Sequence, residues 1–232
     1  MLKEIRSKLS EMADPKIAES AKHFFKEGIK TYGMKSAAVT GIAKDYFPQI
    51  DKMNKADVFK TCEELMKSDY QEEFGIACEF TYRIRKQFEK SDFKIFEKWI
   101  STYINNWAKC DTFCNHSLNS LVEKEPELIS DIKKWTKSKN RWVRRAAAVT
   151  FILSARHGRF IDDVFEIADS MLADADDMVQ KGYGWALKAA SEMQPNRVYD
   201  FVVARHSKMP RTAYRYAIEK LPAGMRKSAM EL

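Results

Sequence analysis

Apolar residues recur at steps of three and four along nearly the whole chain, and this spacing constrains the fold more than any other feature. Over 74–88 they fall at Phe74, Ala77, Cys78, Phe80, Thr81, Ile84 and Phe88, and over 145–153 at Ala146, Val149, Thr150, Ile152 and Leu153. Such spacing builds one face of a helix, and no segment reads convincingly as a strand. Short punctuators stand between these stretches at Asp14-Pro15, Tyr32-Gly33, Phe47-Pro48, Glu125-Pro126, His157-Gly158, Gln194-Pro195, Met209-Pro210 and Leu221-Pro222. Proline fits the first helical turn because its missing N–H would lack a partner there anyway. The pattern predicts about a dozen helices of roughly 10–18 residues. Eight glycines and six prolines make up only about 6% of the chain, against a usual value near 12%. A β-sandwich or a nucleotide-binding α/β fold needs more of both for its turns and phosphate loops.

Helix starts also recur. Val143-Arg144-Arg145-Ala146-Ala147 and Val179-Gln180-Lys181-Gly182-Tyr183 stand 36 residues apart, each opening a helix after a polar boundary. A step of 36 back from Val143 reaches Trp107, and 32 forward from Val179 reaches Arg211. A helix pair every 32–36 residues fits an all-α, HEAT-like helical-repeat solenoid in which each pair buries its apolar face on its neighbours. An irregular helical bundle is the alternative. No Ser/Gly linker or low-complexity run interrupts the chain, so one domain spanning 1–232 is expected. No apolar run approaches membrane-spanning length, and the start, Met1-Leu2-Lys3-Glu4-Ile5-Arg6-Ser7-Lys8, is charged and amphipathic without a leader pattern. Cys62, Cys78, Cys110 and Cys114 show no disulfide-framework spacing. Reduced thiols and a cytoplasmic location are expected.

Forty Lys and Arg against 33 Asp and Glu leave a net charge of +7. Lys133, Lys134, Lys137, Lys139, Arg141, Arg144 and Arg145 follow one another without an acidic residue, with Trp135 and Trp142 between them. A second basic cluster comprises Arg205, Lys208, Arg211, Arg215, Lys220, Arg226 and Lys227. On the concave face of a solenoid such clusters suit phosphate oxygens; otherwise they are solvated faces over core tryptophans. Trp107 and Asp111 sit one turn apart on one helix edge, Arg145 follows Asp111 by 34 residues, and Trp185 follows Arg145 by 40. If the repeat registers hold, these four side chains converge. Otherwise the tryptophans pack between helices and Asp111 answers a helix dipole. Cys110, Cys114 and His116 lack a second ligand pair, so no metal is expected. Asp174-Ala175-Asp176-Asp177 lacks the glycine and glutamate of a calcium loop and reads as a loop plus capping acids. No nucleophile elbow or phosphate loop is present, and none of the four histidines is a convincing general base.

Three pieces, Asn106-Trp107-Ala108-Lys109-Cys110-Asp111, Arg141-Trp142-Val143-Arg144-Arg145-Ala146-Ala147 and Val179-Gln180-Lys181-Gly182-Tyr183-Gly184-Trp185, resemble the AlkD family of DNA alkylation repair glycosylases, which are built of HEAT-like repeats. The resemblance is best over about residues 99–220 and weakest in the amino-terminal helices, 1–53. It departs where relatives often carry Trp-Trp, since the first position is Asn106. It departs again in the loop Tyr32-Gly33-Met34-Lys35-Ser36-Ala37-Ala38-Val39, where a Pro-x-x-Arg element is typical and Lys35 is the candidate contact. The resemblance implies that Asp111 is the catalytic carboxylate, that Trp107 and Trp185 are the site tryptophans, and that Arg145 is the site arginine. With the basic clusters it makes Lys35, Lys139, Arg141, Arg144, Lys181, Arg211 and Arg215 candidate DNA contacts. The implied partner is double-stranded DNA carrying positively charged N3- or N7-alkylated purines. The base would be excised without entering a deep pocket. No cofactor is expected, and a monomer is the default. A non-catalytic repeat protein binding branched or damaged DNA is the alternative, and a helical scaffold with no nucleic-acid role is the third.

Overall fold

In the computed structural model, which describes residues 1–232, six helices begin at residues 36, 71, 107, 141, 177 and 211, so successive starts lie 34–36 residues apart. The repeat seen in the sequence from Trp107 onward thus extends back through two more units. The chain is an all-α helical-repeat protein without strands; its one β feature is an isolated bridge between Lys30 and Tyr70. Its contacts divide into two compact units, Met1–Phe113 and Cys114–Leu232. The division falls where an α-helix gives way to a π turn, not at a linker, so no composition shift marks it.

The first unit holds α1 (Leu2–Glu11), α2 (Pro15–Lys22), α3 (Ser36–Ile50), α4 (Lys55–Met66), α5 (Gln71–Arg83), α6 (Phe93–Tyr103) and α7 (Trp107–Phe113). Here α5 packs against α3, α4 and α7. Its core is an aromatic cluster in which Phe96 lies 5.7 Å from Trp99 and 5.1 Å from Phe113, with Phe59 and Phe88 alongside. Edge-to-face and stacked rings at these distances bury large apolar areas and fix helix rotation. Asp14 caps α2 as its proline boundary predicts, accepting from the backbone N–H of Lys16 at 2.8 Å. Pro48 instead lies inside α3, two residues before its end, where the loss of its own N–H bond and its clash with the carbonyl four residues back affect only the last turns.

The second unit opens with the π turn Cys114–Leu118 and continues through α8 (Asn119–Lys124), α9 (Ile129–Lys134), α10 (Arg141–Val149), α11 (Ile152–Arg156), α12 (Ile161–Ser170), α13 (Asp177–Ala190), α14 (Pro195–Arg205), α15 (Arg211–Ile218) and α16 (Ala223–Met230). At its centre α13 packs against α10, α11, α12, α14 and α15. The apolar period over 145–153 predicts one helix, yet α10 stops at Val149. The Thr150 hydroxyl donates to the Ala146 carbonyl at 2.7 Å, and the buried Asn119 amide donates to the Thr150 carbonyl at 3.0 Å. A side chain bonding back four residues bends a helix, and a carbonyl held from outside can no longer extend it. Such interruptions raise the count to sixteen α-helical segments of five to fifteen residues.

Ion pairs repeat the period. Arg83–Asp51, Lys98–Glu63, Arg159–Glu123, Arg197–Asp162 and Arg205–Asp169 join residues 32–36 apart within their units. This is the separation expected when each helix lies on its counterpart in the next repeat.

Candidate functional site

Asn106 sets the start of α7. It is 2% exposed, its side-chain oxygen accepts from the backbone N–H of Lys109 at 2.9 Å, and its amide donates to the Gln71 side chain at 3.0 Å. The position that departs from the family pattern is therefore a helix cap that also ties α7 to α5. Asn140 and Asp176 cap α10 and α13 in the same way, accepting from Trp142 N–H and Met178 N–H at 2.9 Å each. These caps start both helices two residues before Val143 and Val179.

Helical geometry divides α7 into two sides. Lys109, Cys110 and Phe113 form the buried side, while Trp107, Ala108 and Asp111 are half-buried and Thr112 is exposed on the other. Lys109 is 1% exposed and donates to the Asp69 carbonyl at 3.0 Å, the Asp69 carboxylate at 2.6 Å and the Asn105 side chain at 3.0 Å. Burial pushes its pKa down against the opposing pull of Asp69. With three acceptors around it, this ammonium anchors α7 and turns the Trp107–Asp111 edge away from the core. The Trp107 N–H donates to the Phe24 carbonyl at 3.3 Å, and its ring stacks on Phe25 with centroids 5.3 Å apart.

A cavity of about 470 Å³ adjoins this edge, between α3, α5, α7 and residues 17–34. Thr40, Gly75 and Asp111 are the fifth residues of α3, α5 and α7, and the first two line the cavity. Its floor includes Glu79, one turn beyond Gly75, whose carboxylate accepts from the Thr40 hydroxyl at 3.1 Å. Glu72 also lines it, 3% exposed, accepting from the Thr31 hydroxyl at 2.5 Å and from the N–H groups of Tyr32, Gly33 and Met34 at 3.0–3.1 Å. At Gly33, φ is +83° and a Cβ would stand 2.1 Å from the Asp14 carbonyl oxygen, so only glycine fits. The sequence reading missed this cavity. Stepping back one repeat from Trp107 and Asp111 would have reached Gln71 and Gly75.

In the second unit the fifth residues of α10, α13 and α15 are Arg145, Lys181 and Arg215, and Trp185 lies one turn beyond Lys181. Arg145 is 5% exposed and donates to the Met178 carbonyl, along the first turns of α13. Gly182 leaves room for it, since a Cβ there would lie 3.3 Å from Arg145 Cγ. Gly184 serves α15, because a Cβ would come within 2.8 Å of the Ala213 carbonyl oxygen. The Gly-x-Gly ahead of the half-buried Trp185 thus lets α13 approach both neighbours at once.

The cationic run is largely neutralised within the fold. Arg144 forks onto Asp174 at 2.6 and 3.3 Å and also donates to the Ser138 and Lys139 carbonyls. Arg141 donates to Asp176 at 2.8 Å, Lys133 pairs with Asp163 and Glu166, Lys134 with Asp131, and Lys181 with Asp177. The acidic stretch 174–177 therefore caps α13 and also balances two arginines 30–36 residues upstream. Lys35, Lys139, Arg211 and Arg215 are exposed, and no protein group pairs with their side chains. All four thiols are buried, and no three His, Cys, Asp or Glu side chains converge as a metal site. No helix is long and apolar enough to cross a membrane.

The family model described as DNA alkylation repair enzyme matches residues 5–221. A solved structure described as a predicted DNA alkylation repair enzyme from Enterococcus faecalis is similar with a TM-score of 0.81, covering 91% of this chain and 97% of its own. The two sequences are 16% identical, so this likeness is one of fold. No curated protein matches the sequence.

Proposed function

The chain belongs to the family of DNA alkylation repair enzymes, and from that premise we propose that it hydrolyses the N-glycosidic bond of positively charged N3- or N7-alkylpurines in duplex DNA. The observation that carries this reading is the Trp107–Asp111 edge of α7, held out of the core by the buried Lys109 anchor. A purine alkylated on a ring nitrogen leaves as a neutral molecule, so no general acid is needed. Positive charge instead develops on the deoxyribose. Asp111, as carboxylate, stabilises that charge and orients the attacking water. The electron-rich face of Trp107, on the same helix edge as Asp111, favours the electropositive sugar by about 0.5–2 kcal/mol per contact, and the resemblance assigns the same role to Trp185. The resemblance assigns Arg145 to a neighbouring phosphate, which it reaches only by giving up the Met178 carbonyl. Purified protein incubated with methylated duplex DNA is expected to release free 7-methylguanine or 3-methyladenine; intact DNA after prolonged incubation with excess protein would count against hydrolysis.

The engagement of Trp107 by Phe24 and Phe25, and of Arg145 by Met178, favours one other reading, a binder of branched or damaged DNA that releases no base. Salt-sensitive binding without base release is its signature.

Further duplex contact falls to cations that the fold leaves unpaired. Lys139→Ala, Arg211→Ala and Arg215→Ala are each expected to weaken duplex binding and to lower the slope of log affinity against log salt by about 1. Arg144→Ala is expected instead to cost about 2 kcal/mol of folding stability by stranding Asp174. Fluorescence anisotropy across a salt series and urea denaturation separate the two effects. Equal salt slopes for Lys139→Ala and the wild type would remove that lysine from the interface.

A further inference from the structure

One short segment holds Trp107 in two ways. The Phe25 ring lies nearly parallel to the indole, at 8° with centroids 5.3 Å apart, and the Phe24 carbonyl accepts from the indole N–H at 3.3 Å. Stacking fixes the plane of the indole, and the hydrogen bond fixes its rotation within that plane. Together they leave it one orientation, with one face on Phe25 and only the other to offer a ligand.

The segment can serve as a platform because its ends are fastened. Residues 15–31 leave and return at one point, where the Asp14 N–H donates to the Tyr32 carbonyl at 3.0 Å and Gly33 lies against the Asp14 carbonyl. Gln71, at the start of α5, then ties the platform to the indole. Its N–H donates to the Lys30 carbonyl at 2.8 Å, on the Phe25 side. Its side-chain oxygen accepts from Asn106, the neighbour of Trp107, at 3.0 Å. Phe25 and Trp107, far apart in sequence, are thus both placed from one residue.

We propose that Phe25 is a positioning residue for base excision, holding Trp107 so that the indole face meets the electropositive deoxyribose beside Asp111. The proposal rests on the excision reading and adds a residue to it. An indole free to turn about its side-chain torsions would meet the sugar only part of the time. A ring already held has given up that freedom before the substrate arrives. Phe25 supplies orientation and no charge, so it acts on the rate of release and not on the affinity for duplex.

Single-turnover release of 7-methylguanine from methylated duplex by the full chain, with fluorescence anisotropy for affinity, tests this. Phe25 is half-buried and lies outside the helices, so the fold tolerates leucine there. Phe25→Leu removes the ring and is expected to slow release about tenfold at unchanged duplex affinity. Phe25→Tyr keeps the stack and is expected to release at the wild-type rate. In a Trp107→Ala background, Phe25→Leu is expected to cost nothing more, because it acts only through the indole. The assignment is overturned, and the excision reading left standing, if Phe25→Leu releases at the wild-type rate, loses duplex affinity or slows release equally without Trp107. A Phe25→Tyr variant as slow as Phe25→Leu has the same consequence. Faster release by Phe25→Leu also overturns it, and makes the contact a latch that covers Trp107. No release by the wild type overturns the excision reading itself, and the assignment with it.

Discussion

Asp111→Asn is expected to lower the single-turnover rate of alkylbase release by about 10²–10³-fold, the usual loss when one electrostatic stabiliser of a developing charge is removed. The substitution keeps the size and polarity of a half-buried side chain on the outward edge of α7, so the fold has little reason to change. It removes the negative charge. A neutral amide offers the forming oxocarbenium-like sugar only a dipole, and it can no longer hold water as a carboxylate does. Affinity for undamaged duplex is expected to hold or rise slightly, because one anion fewer faces a polyanion. Quench-flow release of 7-methylguanine, with anisotropy for affinity, reads the two effects separately. Excision by the variant at the wild-type rate would remove Asp111 from the chemistry, whatever the family.

Glu72→Ala is expected to have the largest effect on stability. This buried carboxylate accepts the Thr31 hydroxyl and three successive backbone N–H groups, at Tyr32, Gly33 and Met34. Alanine leaves the Thr31 hydroxyl and the Tyr32 and Met34 N–H groups without that partner, and Gly33 N–H with the Thr31 oxygen alone, in a segment that cannot turn to solvent, because Gly33 lies against the Asp14 carbonyl. Each stranded donor costs about 1–3 kcal/mol, and partial hydration brings the total to about 4 kcal/mol. For a chain of this size that is a fall in Tm of about 8–16 °C. Glu72→Gln keeps one acceptor oxygen and is expected to fall between. Calorimetry checks the series, and an alanine variant melting within a degree of the wild type would contradict the network.

Much of this was legible in the sequence. The 3.6-residue period and the proline boundaries gave an all-α chain, and the 36-residue step from Trp107 to Val143 and Val179 gave its repeat. Register placed Asp111 and Arg145 at the same fifth position of their helices. The break at Thr150 escaped because it depends on the Asn119 amide, 31 residues away in sequence. The basic run misled for a similar reason. Its lack of internal acids suggested free charge, but the acids it meets lie 30–36 residues on.

What the sequence determined by itself follows from local geometry: where helices start and cap, which residues share a helix edge, and the period at which the pattern returns. These depend on hydrogen bonds four residues apart and on side chains one turn apart. Only the tertiary structure decided that Arg141 and Arg144 are balanced while Lys139 and Arg215 are not, that Gly182 lies against Arg145, and that a cavity opens over Gly75. Each of these depends on which faces of neighbouring helices meet and how closely. That is a property of packing between repeats, and no pattern within a single repeat contains it.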